Sequence, residues 1–276
     1  EVAGDERFVV SRSERRGGFY RGFERALRRI PPQASLVALC DQDDRWYPDK
    51  LATLRAELGS AQLVYSDQRL VDPRGVVIAE TYWGDRANNH TNLASLMIAN
   101  TITGAASLMR REVVEAALPF PQVPGEQYHD HWLGLVAMSR GKVAYVDRPP
   151  YDYVQHGTAT LGHSAANAGV AAPPRLTLRE HLRLGRLRRL IGDGRGAYFF
   201  VVQRLAILAT TLLARLRDDM PRAKRRVLRR FERLDDRPVS STLWLTARRL
   251  RSSFGRTETM GLERVLVHGV LWRHVI

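Results

Sequence analysis

Apolar and polar positions along this chain fall into two regimes, with the change near residue 165. Before it, short apolar runs alternate with amphipathic stretches. SLVALC (35–40) and AQLVYS (61–66) are continuous apolar runs, as expected of strands buried on both faces. RFVVS (7–11), VVIAE, TGAASLM and KVAYV read as further strands or extended segments. Between them, Phe19, Phe23, Ala26, Leu27 and Ile30 share one helical face, and Pro31-Pro32 ends that helix. Pro48 opens a helix over 49–58 with Leu51, Leu54 and Leu58 turned inward. LASLMIAN, REVVEAAL and QYHDHWLGLVAMSRG read as helices, the last with Trp132, Leu133, Val136 and Ala137 inward. This alternation predicts an α/β fold: a Rossmann-like, mostly parallel sheet with helices on both faces.

After residue 165 the strands stop. GHSAANAGVAAPP is turn-rich and reads as a linker, followed by amphipathic helices near 177–191, 195–218, 221–234, 240–252 and 260–273. No uninterrupted apolar run reaches the roughly 18 to 20 residues of a standard membrane-spanning helix. The nearest, 197–214, carries Gln203 and Arg204 in its middle. Two units are expected, 1–165 and a helical C-terminal region, 166–276.

Charge separates the same two units. The chain has 43 Lys+Arg against 29 Asp+Glu, a net charge of +14, yet residues 1–165 carry 19 basic and 20 acidic side chains. The excess lies in the tail, with 24 basic and 9 acidic residues. Such a tail asks for an anionic partner. Nucleic acid and the anionic cytoplasmic leaflet are both candidates; the tail has no zinc-finger, homeodomain or basic-zipper spacing, so nothing selects nucleic acid beyond charge. The competing reading is a solvated helical surface in an arginine-rich composition. The single cysteine, Cys40, excludes a disulfide framework and points to the cytoplasm. As a thiol on a buried strand beside carboxylates, it is expected to be inert.

The candidate chemistry sits at the end of SLVALC, where the chain runs directly into DQDD. Three carboxylates within four residues repel one another unless a cation lies between them, and an all-oxygen set suits a hard ion, Mg²⁺ or Mn²⁺. Asp41 and Asp43 project to one side if the strand continues, with Asp44 pointing elsewhere and capping the next helix. An acidic loop without function is the alternative. No GxSxG elbow, P-loop or HExxH helix is present, which argues against hydrolase, kinase and zincin readings.

Taken in order, ALCDQDDRWYPDKL, VYSDQRLVDPRG, NTITGAASLMRR, YHDHWLGLVA and YDYVQHG resemble the family-2 inverting glycosyltransferases of the GT-A class, most of all the rhamnosyltransferase-type members. The resemblance covers roughly residues 15–162 and leaves the tail uncovered. It implies a GT-A catalytic domain and transfer of a sugar, rhamnose or another hexose, from a nucleotide-diphosphate donor (dTDP- or UDP-linked) to a cell-envelope glycan or lipid-linked acceptor. It implies that Asp43 coordinates the metal on the donor diphosphate, while Asp41 approaches the ribose or the metal and Asp44 joins the donor site. Asp130 becomes the general base; without the resemblance it reads equally as an acidic residue at a helix start. His156 would complete the metal site. His129 would line the acceptor pocket, and Trp46 and Trp132 are stacking candidates for sugars, or core residues. Gly104, with Ala105 beside it, would let the chain pass close to the donor, or simply make a turn. Asp67 would position the donor or bond a turn. The family's opening nucleotide-binding strand has no match here, so the chain is expected to lack it. The enzyme would work at the inner face of the cell membrane, held there by its tail. The alternative is a non-catalytic scaffold that recruits membrane or nucleic acid through its arginines.

Overall fold

The computed structural model describes residues 5, 7–14, 17–83, 86–125, 127–155, 193–251 and 258–275. His156, the expected linker and the expected helix 177–191 lie outside the described residues.

Helix α1 (Gly18–Leu27) ends before Pro31, as the sequence requires. It leads into β1 (Leu36–Ala38), the turn 42–43 and a two-residue strand, β2 (Arg45–Trp46). Helix α2 (Lys50–Leu58) follows, then β3 (Leu63–Ser66), β4 (Arg69–Val71) and β5 (Val77–Ala79). Next come α3 (Leu93–Ile98), a 3₁₀ turn over Gly104–Ala106, β6 (Ser107–Arg110) and α4 (Arg111–Ala117). The body closes with α5 (His129–Arg140), β7 (Val143–Val146) and β8 (Tyr151–Val154).

Two mixed four-stranded sheets form, in the orders β1-β6-β3-β7 and β2-β8-β4-β5. The expected mostly parallel sheet is not what these strands build. In the first sheet only β3 and β7 pair in parallel, while β6 runs antiparallel to both β1 and β3. Alternation along the sequence sets the order of elements, not the direction in which each strand enters the sheet. Between β3 and β6 the chain passes through β4, β5 and α3, which packs on α5, and β6 enters between β1 and β3, antiparallel to both. In the second sheet the short turn 72–76 forces β4 and β5 antiparallel, with the Asp72 carboxylate accepting from the Arg74 and Val76 amides.

Helices do cover both faces of the first sheet. Along β3 and β6 the side chains alternate. Val64 and Leu108 turn toward Leu54 and Leu58 of α2, while Leu63, Tyr65 and Met109 join the larger core containing α5. All four residues of β3 are buried, which accounts for its continuous apolar run.

The tail is helical as expected. A run from Asp193 passes through a π-helical turn, Tyr198–Val202, into α6 (Gln203–Leu216), and is followed by α7 (Arg222–Glu232), α8 (Pro238–Arg251) and α9 (Glu263–Val275). By length and composition 193–216 is apolar enough to cross a membrane, although Leu205, Leu208, Ala209, Leu212 and Leu216 are buried in the same core as α5. Polar ties reinforce the contact. Arg215 donates to the Ala117 and Pro119 carbonyls, Lys224 caps α5 at the Met138 and Gly141 carbonyls, and Arg248 donates to Ser95 Oγ.

Two local expectations fail. Residues 7–11 form no strand, Phe8, Val9 and Val10 are exposed, and among the described residues no strand pairs with them. On α2 the inner face carries Lys50, Leu54 and Leu58, whereas Leu51 is 47% exposed.

Candidate functional site

The antiparallel pairing of β1 with β6 decides where the acidic loop lies. Ala38 pairs with Leu108, so the end of β1 stands beside the start of β6 and the Gly104–Ala106 turn that precedes it. The N-terminus of α5 packs onto the same turn: Gly104 N–H donates to Asp130 Oδ2 at 3.3 Å. The DQDD loop, the Gly104 turn and the first turn of α5 therefore share one corner.

Asp130 is held there by three donors. Its Oδ1 accepts from His131 N–H at 2.6 Å and from Asn100 Nδ2 at 3.1 Å, and its Oδ2 from Gly104. Asn100 itself is fixed by bonds with the backbone of Ile102. These donors favour the ionised form, yet burial outweighs them and pushes the Asp130 carboxyl up to about 6.

The acidic loop is a turn at 42–43, so the expected strand continuation of Asp41 and Asp43 is absent. The carboxylates nonetheless feel one another. The Asp41 carboxyl is raised chiefly by burial, with repulsion from Asp43 and Asp130 added. Asp44 is pushed up to about 7, by burial first and by Asp41 and Asp43 next. It does not cap α2, whose N-terminal flanking residue is Asp49. Instead both Asp44 oxygens are buried without a hydrogen bond of full geometry, eased by the Val154 amide and the Lys50 ammonium.

Lys50 is the residue that sequence reasoning missed. It is 1% exposed, donates from Nζ to the Ala105 carbonyl at 2.6 Å, and lies 3.8 Å from the ring centroids of both Trp46 and Tyr151. Burial draws its ammonium down to about 7 against the pull of Asp44, Cys40 and Asp41. The signal was its spacing with Leu54 and Leu58, one residue every four along the inner stripe of α2. Trp46 thus has one face against an ammonium and is only half-buried. Ala105 is buried, and its carbonyl anchors Lys50.

His129 lies between the acidic loop and α1. It stacks on Phe23 at 3.8 Å with Phe19 edge-on, and neither ring nitrogen has a hydrogen-bond partner among the described residues. Burial holds it down to about 4, so the ring is neutral near pH 7. A Cβ placed on Gly104 would stand 2.6 Å from His129 Nε2, so the glycine is required by the close approach of this ring. His131 points elsewhere, its Nε2 bonded to the Leu96 carbonyl at 2.7 Å.

Other expected positions have their side chains engaged or oriented differently. Trp132 is 1% exposed, donates Nε1–H to the Ala117 carbonyl at 2.9 Å and has Arg215 over its ring; it is core, not a sugar platform. Its position facing α4 follows from the inward stripe of α5, which leaves no solvent side for a ligand. Asp67 bonds a turn: it accepts from Thr81 Oγ1 at 2.5 Å and from the Gln68 and Tyr82 amides. Cys40 lies beyond the end of β1 and is exposed, not buried, although partial burial still raises its thiol.

The donor set fits a divalent ion. Among the described residues no three His, Cys, Asp or Glu side chains converge tightly enough to form an all-protein cage. An ion bound with a diphosphate requires only one or two protein carboxylates. Asp41 and Asp43 are the carboxylates that could do so, and Asp41 and Asp44 are raised by burial first and by repulsion within the loop next. No protein-family profile and no curated protein matches the chain.

Proposed function

We propose that the chain is a metal-dependent inverting glycosyltransferase of GT-A type, moving rhamnose or another hexose from a nucleotide-diphosphate donor to a glycan or lipid-linked acceptor. The observation that carries this reading is the corner that Asp130 shares with the carboxylates of the DQDD loop. Asp130, held by three donors and titrating near 6, lies within electrostatic reach of Asp41 in the DQDD loop. One is suited to taking a proton at neutral pH, the other to gripping a cation.

Asp41 and Asp43 would hold Mg²⁺ or Mn²⁺ against the donor diphosphate, where the ion supplies charge stabilisation to the leaving group. Asp130 accepts the proton of the acceptor hydroxyl as its oxygen forms a bond to the anomeric carbon. The bond from that carbon to the diphosphate oxygen breaks on the opposite side, which inverts the configuration. The neutral His129 ring shields the corner from water on the α1 side. Lys50 holds the loop from beneath, tying Ala105 and Asp44 to α2.

The test is calorimetric titration of UDP and dTDP into the chain with and without Mn²⁺, followed by a transfer assay. Metal-dependent binding is expected for the wild type and for Asp130→Asn, lost in Asp43→Ala. Transfer is expected only for the wild type. Metal-independent binding, or equal turnover by Asp130→Asn, overturns the reading.

A further inference from the structure

We propose that the outer surface of α7 and α8 docks on an anionic lipid bilayer, with lipid phosphates in a groove of arginines and an adjoining apolar stripe entering the interface. The inference stands on the tail alone and is independent of the transferase reading.

Arg226, Arg229, Arg230 and Arg233 recur at the three- and four-residue spacing that lines one face of α7. Its opposite face is buried through Leu228 and Phe231. These four arginines, with Arg237 and Trp244, line a groove of about 370 Å³ between α7 and α8. A second hollow of about 300 Å³ continues it along Arg222 and Arg225. None of the groove arginines forms an ion pair among the described residues. Asp235, the acid nearest in sequence to Leu234, is engaged by Tyr198 and His274. The Arg230 and Arg248 guanidinium groups lie 5.4 and 5.5 Å from the centroid of the Trp244 ring that lines the groove. Uncompensated guanidinium groups in a concave site match phosphate, which they bind through paired N–H donors.

Charge alone would serve nucleic acid as well. The apolar stripe decides between them. Val239, Leu243 and Leu250 are 73, 67 and 61% exposed, and at about 100° per residue they lie within roughly 40° of one another on α8. Of the α8 residues that line the groove, Ser240, Trp244 and Ser241 stand about 100°, 140° and 200° around the helix from Val239, so the stripe meets the groove on the Ser240 side. Branched apolar side chains beside a cationic rim are the composition of an interfacial helix. A nucleic-acid backbone offers nothing to a leucine stripe.

The test is cosedimentation of the full chain with vesicles of phosphatidylcholine mixed with phosphatidylglycerol, alongside phosphatidylcholine alone and a mixed-sequence DNA duplex. Two exposed-site variants are compared: Arg226→Gln/Arg229→Gln/Arg230→Gln/Arg233→Gln, and Val239→Ser/Leu243→Ser. The wild type is expected to prefer anionic vesicles. The arginine variant should lose about a thousandfold in partitioning, from the contribution of each of the four cations at such a surface. The apolar variant should lose about tenfold on vesicles while leaving DNA binding unchanged. Circular dichroism like the wild type's verifies that both variants are folded. Undiminished vesicle binding by either folded variant, or tighter binding to DNA than to anionic vesicles at 0.15 M salt, overturns the proposal.

Discussion

Replacing Asp130 by Asn separates the cost of burying a charge from the value of its hydrogen bonds. In the folded chain the carboxyl titrates near 6, against 3.8 for an unperturbed one. The folded state therefore holds the proton more tightly than the unfolded state. The resulting stabilisation is complete below about pH 3.8 and is lost as pH rises through about 6. At about 1.4 kcal/mol per unit, the wild type forfeits roughly 2 to 3 kcal/mol between pH 4 and 7.5. Asn does not titrate, so it avoids this loss. It keeps one oxygen for His131 and Asn100 but turns an amide toward Gly104 N–H, leaving a buried donor unpaired. That mismatch costs about 1–3 kcal/mol at any pH. The variant should thus be the less stable protein at pH 4 and equal or more stable at pH 7.5, with a swing of about 2 to 3 kcal/mol. Urea unfolding followed by tryptophan fluorescence at both values measures it. A stability difference that stays constant across this window would refute the reasoning.

Gly104→Ala drives a methyl group into the His129 ring and should destabilise by about 1–3 kcal/mol; most of the loss should disappear in a His129→Ala background, as read by a double-mutant cycle. Trp132→Ala should cost about 3–5 kcal/mol in thermal or urea unfolding, yet leave metal-dependent binding of UDP or dTDP intact at a temperature where the variant remains folded, because the ring touches core and not the corner.

Much of this fold was legible because period and burial agree. The stripe of α5 and the unbroken apolar run of β3 each have one packing solution, and both lie where the pattern puts them. Lys50 was hidden by its charge: a lysine in an inward position reads as an error until Trp46, Tyr151 and the Ala105 carbonyl are seen around it. Trp132 and Asp67 stayed open between site and structure for the opposite reason. Their side chains can serve a ligand or the protein equally well, and only the partners, the Ala117 carbonyl and the 81–82 turn, distinguish the two. Strand direction was out of reach, since composition and period are the same for a strand entering the sheet either way, and residues 7–11 have strand composition but pair with no strand among the described residues.

Helix α5 is gripped at both ends and along its flank. The Gly104 turn holds its first residues, Lys224 ties down its last carbonyls, and α6 lies against its side. It therefore behaves as a beam joining the acidic corner to the arginine-bearing helices. If the two proposals above hold together, a surface on which those helices rest would set the height of the corner above it, and with that the length of acceptor that could reach Asp130.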